Sequence, residues 1–585
     1  MKSTAVDDSA TARILRAFRT DAHVRERLPD GDVLNIDRKL PYLFLYRQPP
    51  SRPDPGTDRL VLAEASYLIA RGDDDAIQPI VHALAEAGTA ELGSFLLFEL
   101  WSGADDESDF VIHAPAAPAA ASVDTLCKAL EKVCADLNLD AAVSVRVTDE
   151  RHPPDRDAIL SARDCWEIGC LSLGLQVPPL FRDADTGDVY PVFLRRLRSA
   201  LSVALRQSVY EFARVQTSTT VESYRALGPR RFDDAVTSAD AELAGIERSY
   251  SLLLLVSPIN SGDAWQRFRD DGYDTPPDFR YRLLPVDPDV LKRRLFALDL
   301  DPIADPALAF LFHDKRSELD RQITLIAERN TAGFRYTSMR LYGDVDDMLL
   351  RVACDILEHV QPTRWSDEDE LVDAAAFAAA ARTELAHYRT VMPGLAADVQ
   401  VRSDLTGLMV SQGNLLISEE IALRPARVQA LLHHEVGTHV LTYYNGRAQP
   451  LQQLSTGLAD YDELQEGLAV FAEYGVGGLS ASRMRVLAAR VLAAHSMEHG
   501  AEFIETFRLL TREHGFARGT AFDITERVHQ CGGFNRDMIY LRGLLRLVEH
   551  LRAGGALEPL YVGKIAAKHI EIIDELLSRG VLVPP

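Results

Sequence analysis

Short apolar runs with amphipathic stretches between them characterise the first part of the chain, residues 1–215. The runs are rich in aromatic and branched side chains, which is typical of strands. The stretch from Ser122 to about Asn138 predicts a helix that Ser122 caps, and Tyr190–Val215 predicts a longer helix that closes the region. We therefore predict an α/β N-terminal domain of unknown role over residues 1–215. The predicted strands are Tyr42–Tyr46, Ser94–Trp101, Phe110–His113 and Ala142–Val147.

The middle section, residues 216–362, is dense in charge and follows a helical period over most of its length. Helices are predicted over Pro288–Leu300 and Pro306–Asn330. One exception is Leu252–Ser257, an uninterrupted apolar run short enough to predict a single buried strand. We therefore predict that this section is mainly helical.

The third section, residues 363–585, combines helices with one β-rich segment, Val399–Ser418. Within that segment, Gly413 and Asn414 signal a turn between two apolar runs, Leu408–Ser411 and Leu415–Ser418. Together the three sections predict a helix-rich α+β protein. The predicted helices of the third section are Glu368–Tyr388, a helix from Pro425 to about Tyr443, and Asp462–Tyr474.

Composition narrows the class of protein. The 585 residues include 63 basic and 87 acidic side chains, a formal net charge of −24, which argues against nucleic-acid partners and anionic membrane surfaces. Six cysteines without a CxxC spacing indicate reduced thiols. The first residues lack the apolar segment of a signal peptide, and no apolar run approaches the ~20 residues of a membrane span. We therefore expect a soluble, cytoplasmic protein.

The segment His434-Glu435-x-x-x-His439 is the strongest chemical signal. In the HExxH signature two histidines four apart share one face of a helix and bind zinc, and the glutamate acts as general base. Here the histidines are five apart, which separates them by roughly 140° on a regular helix. A π-helical bulge near Val436–Thr438 would restore the alignment, and Gly437 makes such a distortion easier. Because short motifs also arise by chance, these histidines could instead be ordinary polar residues of a helix.

A second helix offers the missing third ligand. Catalytic zinc commonly binds two histidines and a glutamate and leaves one position for water. Glu466 and Glu473 are seven residues apart and lie on about the same face of the helix, so either could point inward. Glu466 is followed by Gly467 and Ala469, small residues that would let this helix approach the motif helix closely. A carboxylate near a helix start is, however, also common on solvated surfaces.

HHEVGTH followed by LQEGLAVFAEY resembles the flavohemoglobin expression-modulating QEGLA-motif family and, more distantly, the microtubule-associated tyrosine carboxypeptidases. The resemblance extends over most of the chain. It includes the segments LLLLVSPIN (252–260), FRYRL (279–283), ELDRQITLIAERN (318–330), FNRDMIYLRGL (534–544), IDRKLPYLFLYR (36–47) and GSFLLFELW (93–101).

The resemblance implies that His434, His439 and Glu466 bind Zn²⁺ and that Glu435 is the general base. Glu466 rather than Glu473 is then the third ligand, and Glu473→Ala should leave zinc affinity largely intact. The implied fold is a zincin-like peptidase domain over residues 363–585, with the helix-rich section 216–362 leading into it. In such domains an edge strand beside the metal pairs with the substrate backbone. Our candidate is the segment Leu408–Ser418, including Asn414 and Leu415.

The sequence leaves several candidates for the side chains that bind the oxyanion and the substrate carboxylate. The oxyanion that forms in peptide hydrolysis needs a hydrogen-bond donor. A carboxypeptidase also holds the terminal carboxylate, usually with arginine. The arginine candidates, Arg527, Arg536 and Arg542, surround the segment CGGFNRD, and Arg536 is preferred. The donor candidates are Tyr540, His529, Tyr443 and Tyr444.

The leading hypothesis is a zinc metallocarboxypeptidase that removes a C-terminal, preferentially aromatic, residue from a peptide or protein. Two alternatives remain. The first is a metal-dependent amidase or endopeptidase in peptide maturation, and the second is a non-catalytic regulator of gene expression. Tubulin is not carried over as a substrate, because substrate choice depends on the binding groove rather than on the fold.

Overall fold

The structure, a computed structural model, describes residues 8–50, 52–116, 119–363, 370–405 and 407–585. The chain divides into two compact units, each of which is built from several segments. The sequence suggests three sections; most of the middle one lies in the second unit, while residues 216–233 and 301–310 lie in the first. The first unit contains Met1–Asp233, Asp301–Phe310 and Asp574–Leu582; the second contains Asp234–Leu300, Leu311–Ile573 and Val583–Pro585.

The first unit contains a mixed eight-stranded sheet of order β1-β2-β4-β3-β5-β8-β6-β7. The inner pairs β4–β3, β3–β5 and β5–β8 are parallel, whereas β1–β2, β2–β4 and β8–β6 are antiparallel. The strands are β1 (Val24–Arg27), β2 (Val33–Ile36), β3 (Tyr42–Arg47), β4 (Ser66–Ala70), β5 (Phe95–Ser102), β6 (Phe110–Ala114), β7 (Val143–Val147) and β8 (Cys170–Val177).

Helices cover both faces of this sheet, because successive side chains of a strand point to opposite sides. In β3, Leu43 and Leu45 pack with α1, α3 and α5, whereas Phe44 and Tyr46 pack with α2, α4 and α6. The unit is therefore a three-layer α/β/α sandwich, a more specific arrangement than the mixed α/β class predicted for residues 1–215. Its helices are α1 (Asp8–Arg19), α2 (Asp58–Val61), α3 (Asp74–Leu92), α4 (Ala120–Leu137), α5 (Ala162–Ile168) and α6 (Pro191–Gln216).

The predicted strands and the long helix of this unit are confirmed to within one or two residues. The predicted cap is wrong: α4 begins at Ala120, so Ser122 lies inside the helix. Its backbone carbonyl accepts a hydrogen bond from the Ser208 hydroxyl of α6. No helix in the described ranges is long and apolar enough to cross a lipid bilayer.

From Asp234 onward the chain is mainly helical, as the sequence predicts. The helices are α7 (Asp234–Arg248), α8 (Leu252–Val256), α9 (Ser261–Asp270), α10 (Pro288–Ala297), α11 (Pro306–Ala327), α12 (Gly333–Tyr342), α13 (Asp347–His359), α14 (Ala374–Val391), α15 (Pro425–His434), α16 (Leu441–Ala448), α17 (Gln453–Thr456), α18 (Tyr461–Gly475), α19 (Ala481–Glu498), α20 (Phe503–Arg508), α21 (Arg518–His529), α22 (Ile539–Arg552) and α23 (Ile570–Ser578).

The second unit also holds a small sheet of order β10-β12-β11, and two short strands, β9 and β13, pair separately. The hairpin turn between β11 and β12 is at Gln412 and Gly413, one residue earlier than predicted, and both residues have positive φ. Such dihedrals match the hairpin turn that suits the twist of paired strands. The strands are β9 (Val372–Asp373), β10 (Val399–Arg402), β11 (Leu408–Ser411), β12 (Asn414–Ser418) and β13 (Ala422–Leu423).

Two predictions for this region need correction. The apolar run Leu252–Ser257 is not a strand but contains the short helix α8, in which Leu255 and Val256 are buried. Periodicity cannot separate strand from helix in so short a run. The helix predicted over Glu368–Tyr388 instead begins at Ala374, capped by the Asp373 carboxylate, and its predicted start at Glu368 lies outside the described residues.

Candidate metal centre and substrate pocket

The motif helix changes its hydrogen-bonding pattern where the two histidines are. Helix α15 continues into α16 through a π-helical turn at Glu435–Val440, which confirms the predicted departure from regular α-helix. The wider turn absorbs the extra residue of the five-residue spacing. As a result, the His434 and His439 rings lie on the same side, with centroids 5.1 Å apart.

Glu466 of α18 completes a group of three donors. One of its carboxylate oxygens, Oε2, is 3.5 Å from His434 Nε2 and 3.6 Å from His439 Nε2. The three donor atoms lie within 4.8 Å of one another. Glu466 Oε2 is buried and has no hydrogen-bond partner among the described residues. Because buried carboxylate oxygens are normally paired, this oxygen and the two ring nitrogens fit a shared cation, and two histidines with one glutamate are a standard zinc set.

Negative charge around His434 supports the same interpretation. Although burial of the ring opposes protonation, the adjacent Glu466 carboxylate, the hydrogen bond with Glu473 and the charge of Glu435 raise the pKa of His434 to about 9. The carboxylates of Glu435, Glu466 and Glu473 thus favour positive charge on or beside this ring. A proton on the ring or a divalent cation would supply that charge.

Glu435 lies beside the donors without belonging to them. Its Oε1 atom is 4.0 Å from His434 Nε2, and its side chain lines a cavity of about 450 Å³ together with His434, His439 and Glu466. A carboxylate in this place can exchange a proton with a water molecule in the cavity.

The remaining candidate glutamate, Glu473, lies behind His434. Its Oε1 atom is 2.9 Å from His434 Nδ1, the ring nitrogen that faces away from Glu466. Burial opposes ionisation, but the hydrogen bond with His434 and the charges of Arg483 and Arg427 hold the pKa of Glu473 well below its usual value. Glu473 is therefore an ionised partner of a candidate ligand rather than a member of the donor group.

The arginines predicted as carboxylate clamps already bind carboxylates of the protein. Arg536 Nη2 is 2.9 Å from Glu466 Oε1 and 3.1 Å from Asp462 Oδ1. Arg527 forms a two-pronged pair with Asp537, including a 2.8 Å bond from Nη2 to Oδ1. Both side chains line the cavity, whereas Arg542 bonds Glu463 and lies outside its lining.

Several residues that line the cavity were not expected from the sequence, among them Tyr461, Arg483, Arg490 and Lys564. The Lys564 ammonium lies 5.6 Å and 5.2 Å from the ring centres of Tyr443 and Tyr461, and no carboxylate of the described residues forms an ion pair with it. Arg490 lies over the Tyr540 ring at 4.9 Å and is 3.4 Å from Asp537 Oδ2. These side chains come from distant parts of the sequence, so no local sequence pattern indicates that they line one cavity.

Of the four predicted oxyanion donors, the structure brings Tyr540 to the cavity. Its ring is nearly parallel to that of His434, with centroids 6.4 Å apart. The other three lie outside the cavity lining. His529 is hydrogen-bonded to Thr506, while Tyr443 and Tyr444 pack against each other and beside Gly413.

The hairpin prediction needs one correction. Asn414 and Leu415 belong to β12, which is the central strand between β10 and β11, so their backbone is already paired. Leu415 is fully buried in the core. The strand whose residues line the cavity is β11, through Leu408, Met409 and Val410, and it has a free edge within the described sheet.

Comparison with known proteins decides the family. The sequence profile of the microtubule-associated tyrosine carboxypeptidases matches residues 266–585, which include every residue of the centre described above. The chain belongs to this family. The likeness to the QEGLA-motif family stays a prediction from the sequence.

Other comparisons add little to the carboxypeptidase family match. No curated protein matches the chain significantly. A lipoprotein of unknown function from Shewanella oneidensis aligns with 12% identity and a TM-score of 0.28, over 65% of this chain and 78% of that one. A lipoprotein from Colwellia psychrerythraea aligns with 10% identity and a TM-score of 0.32, over 66% and 76%. Scores this low do not establish a shared fold.

Proposed function

We propose that the protein is a zinc-dependent peptidase and, more narrowly, a metallocarboxypeptidase that releases the C-terminal residue of a peptide or protein. The observation that carries this proposal is the buried, unpartnered Oε2 atom of Glu466 facing His434 Nε2 and His439 Nε2. Glu435 lies beside this group in the same cavity. Membership of the carboxypeptidase family supports the assignment.

His434, His439 and Glu466 would hold the metal. When bound, Zn²⁺ acidifies a water molecule and polarises the scissile carbonyl. Glu435 accepts the proton of the attacking water and later delivers it to the leaving amine. The Tyr540 hydroxyl, which lines the same cavity, is our candidate hydrogen-bond donor to the carbonyl oxygen as negative charge develops there.

Strand β11 is our candidate for binding the substrate backbone. Its edge is unpaired within the described sheet, and Leu408, Met409 and Val410 line the cavity that contains Glu435. An extended peptide can add to such an edge by main-chain hydrogen bonds. A helix that carries the metal-binding histidines beside such a strand is the arrangement expected of a zincin-like domain.

Lys564 is the cation best placed to bind a terminal carboxylate. Arg536 and Arg527 are each engaged by carboxylates of the protein, whereas the Lys564 ammonium faces two tyrosine rings and has no carboxylate partner among the described residues. An incoming carboxylate would gain a charge-assisted hydrogen bond without breaking an existing ion pair. The rings of Tyr461, Phe534 and Tyr540 also line the cavity, which supports preference for an aromatic terminal residue.

The test is a panel of peptides that end in aromatic, aliphatic or charged residues, each made as a free acid and as a C-terminal amide. Products are identified by mass spectrometry, with chelator-treated protein as the control. We expect loss of single C-terminal residues from the free acids and at least tenfold slower cleavage of the amides, because amidation removes the charge that Lys564 would bind. Internal cleavage, or equal cleavage of both forms, would favour an endopeptidase or amidase. Absence of cleavage with zinc bound would favour a non-catalytic role.

A further inference from the structure

Glu473 lies behind His434, on the side of the imidazole ring that faces away from Glu466. It lies two turns after Glu466 on α18, and its side chain is completely buried. Its Oε1 atom accepts a hydrogen bond from His434 Nδ1 at 2.9 Å. His434 therefore has a carboxylate beside each ring nitrogen, with Nε2 toward Glu466 and Nδ1 toward Glu473.

Two arginines fix the Glu473 carboxylate from different helices. Arg427 of α15 donates from Nη1 to Glu473 Oε2 at 2.8 Å and also to the Gly478 carbonyl at 2.8 Å. Arg483 of α19 donates from Nη2 to Oε1 at 3.0 Å and from Nε to Oε2 at 3.3 Å. With both oxygens bound in this way, the carboxylate cannot rotate without losing several charge-assisted hydrogen bonds.

The two candidate histidine ligands differ in this respect. Among the described residues, His439 has no hydrogen-bond partner at Nδ1, and it contacts Glu466 through Nε2. Of the two histidines in the described residues, His434 alone has a carboxylate, that of Glu473, at Nδ1. A carboxylate behind a metal-binding imidazole fixes its tautomer and orientation and raises its basicity.

We infer that Glu473, fixed by Arg427 and Arg483, is a positioning residue for the metal centre. It keeps the proton of His434 on Nδ1 and turns the lone pair of Nε2 toward the position shared with His439 and Glu466. The inference rests on the proposed function, because it assumes that these three side chains bind a metal. It revises the expectation from the sequence, in which Glu473→Ala leaves zinc affinity largely intact.

The inference predicts graded effects of substitution. Glu473→Ala removes both the hydrogen bond and the charge, and we expect a 10-fold to 100-fold loss of zinc affinity. Glu473→Gln keeps an oxygen that can accept from Nδ1 but loses the charge, so the loss should be smaller. Glu463→Ala is the matched control, because Glu463 lies on the same helix and pairs with Arg542 and Arg546 instead.

The experiment is a competition titration of the metal-free full-length protein with zinc and a chromophoric chelator. The visible absorption spectrum of the cobalt-substituted protein provides a second measurement, since it reports ligand geometry rather than stability. We expect weaker zinc binding and a shifted cobalt spectrum in Glu473→Ala, partial rescue in Glu473→Gln, and wild-type behaviour in Glu463→Ala. Circular dichroism of the metal-free proteins identifies a variant that fails to fold, in which case Glu473→Gln alone decides.

The possible failures are distinguishable. If folded Glu473 variants bind zinc within threefold of wild type and give its cobalt spectrum, the positioning role is overturned while the peptidase proposal stands. If Glu463→Ala loses as much affinity as Glu473→Ala, the effect is a general property of the helix and the inference is also overturned. If the wild-type protein itself binds no zinc, both proposals fail.

Discussion

Arg536 binds one oxygen of Glu466, Oε1, at 2.9 Å and leaves the other, Oε2, facing the two histidines. An arginine expected from the sequence to bind substrate therefore orients a candidate ligand. Arg536→Met should lower zinc affinity about 10-fold to 100-fold, because the carboxylate loses its buried partner. Zinc titration of Arg536→Met and of Arg542→Met, which breaks a comparable ion pair to Glu463, measures this. If Arg536→Met keeps its zinc and loses only the preference for free-acid peptides, Arg536 is a substrate clamp instead.

Glu466 itself should matter most for the metal. Glu466→Ala removes one of the three donors, and we expect at least a hundredfold loss of zinc affinity. Glu463→Ala, three residues earlier on the same helix, serves again as control. Equal zinc affinity of Glu466→Ala and wild type would show that the third ligand lies elsewhere.

Close helix packing places Glu466, but not as the sequence suggests. Gly467 packs against Gly543 of α22 rather than against the motif helix, and a Cβ on Gly467 would be only 2.5 Å from the backbone carbonyl carbon of Gly543. Gly467→Ala should therefore lower the free energy of unfolding by more than about 2 kcal/mol through overpacking. Gly475→Ala at the open end of the same helix should change it by less than about 1 kcal/mol, because nothing lies within 4 Å of the added Cβ. Urea unfolding of both variants tests the difference. Similar stabilities would contradict the tight contact.

Local patterns predicted much of this structure. Short apolar runs rich in aromatic and branched residues located β3 and β5, and the five-residue histidine spacing predicted the π-helical turn. These features depend on residues that are neighbours in the chain. Leu252–Val256 shows the limit, since five apolar residues carry no usable period and form a helix.

Partners that meet only after folding could not be predicted. Glu473 reaches His434 across 39 residues of sequence, and Arg536 reaches Glu466 across 70. Arg527 and Arg536, which the sequence suggested as substrate clamps, line the cavity, but the carboxylate that each one binds depends on how its segment packs in the folded chain. For the same reason, no local sequence pattern indicates that Lys564 lines the cavity.

Lys564 provides a direct test of substrate binding. Lys564→Met should lower kcat/KM for free-acid peptides about 10-fold to 100-fold, the value of one charged hydrogen bond, and leave cleavage of the amides nearly unchanged. Lys568→Met is the matched control, because Lys568 is already paired with Asp314 and Asp460. The measurement is steady-state kinetics with one peptide, made as the free acid and as the C-terminal amide. An unchanged ratio of free-acid to amide cleavage would indicate that another cation binds the terminal carboxylate. Arg490 would then be tested next.

The central claim is that Glu435 works as a general base beside a metal held by His434, His439 and Glu466. Its most direct test is the rate of C-terminal residue release by zinc-loaded wild type and Glu435→Gln, with zinc content measured on the same samples. We predict about one zinc per chain in both proteins and a rate at least a hundredfold lower in Glu435→Gln, because the amide cannot accept the proton of the water. A Glu435→Gln protein that hydrolyses peptides as fast as wild type would contradict the account.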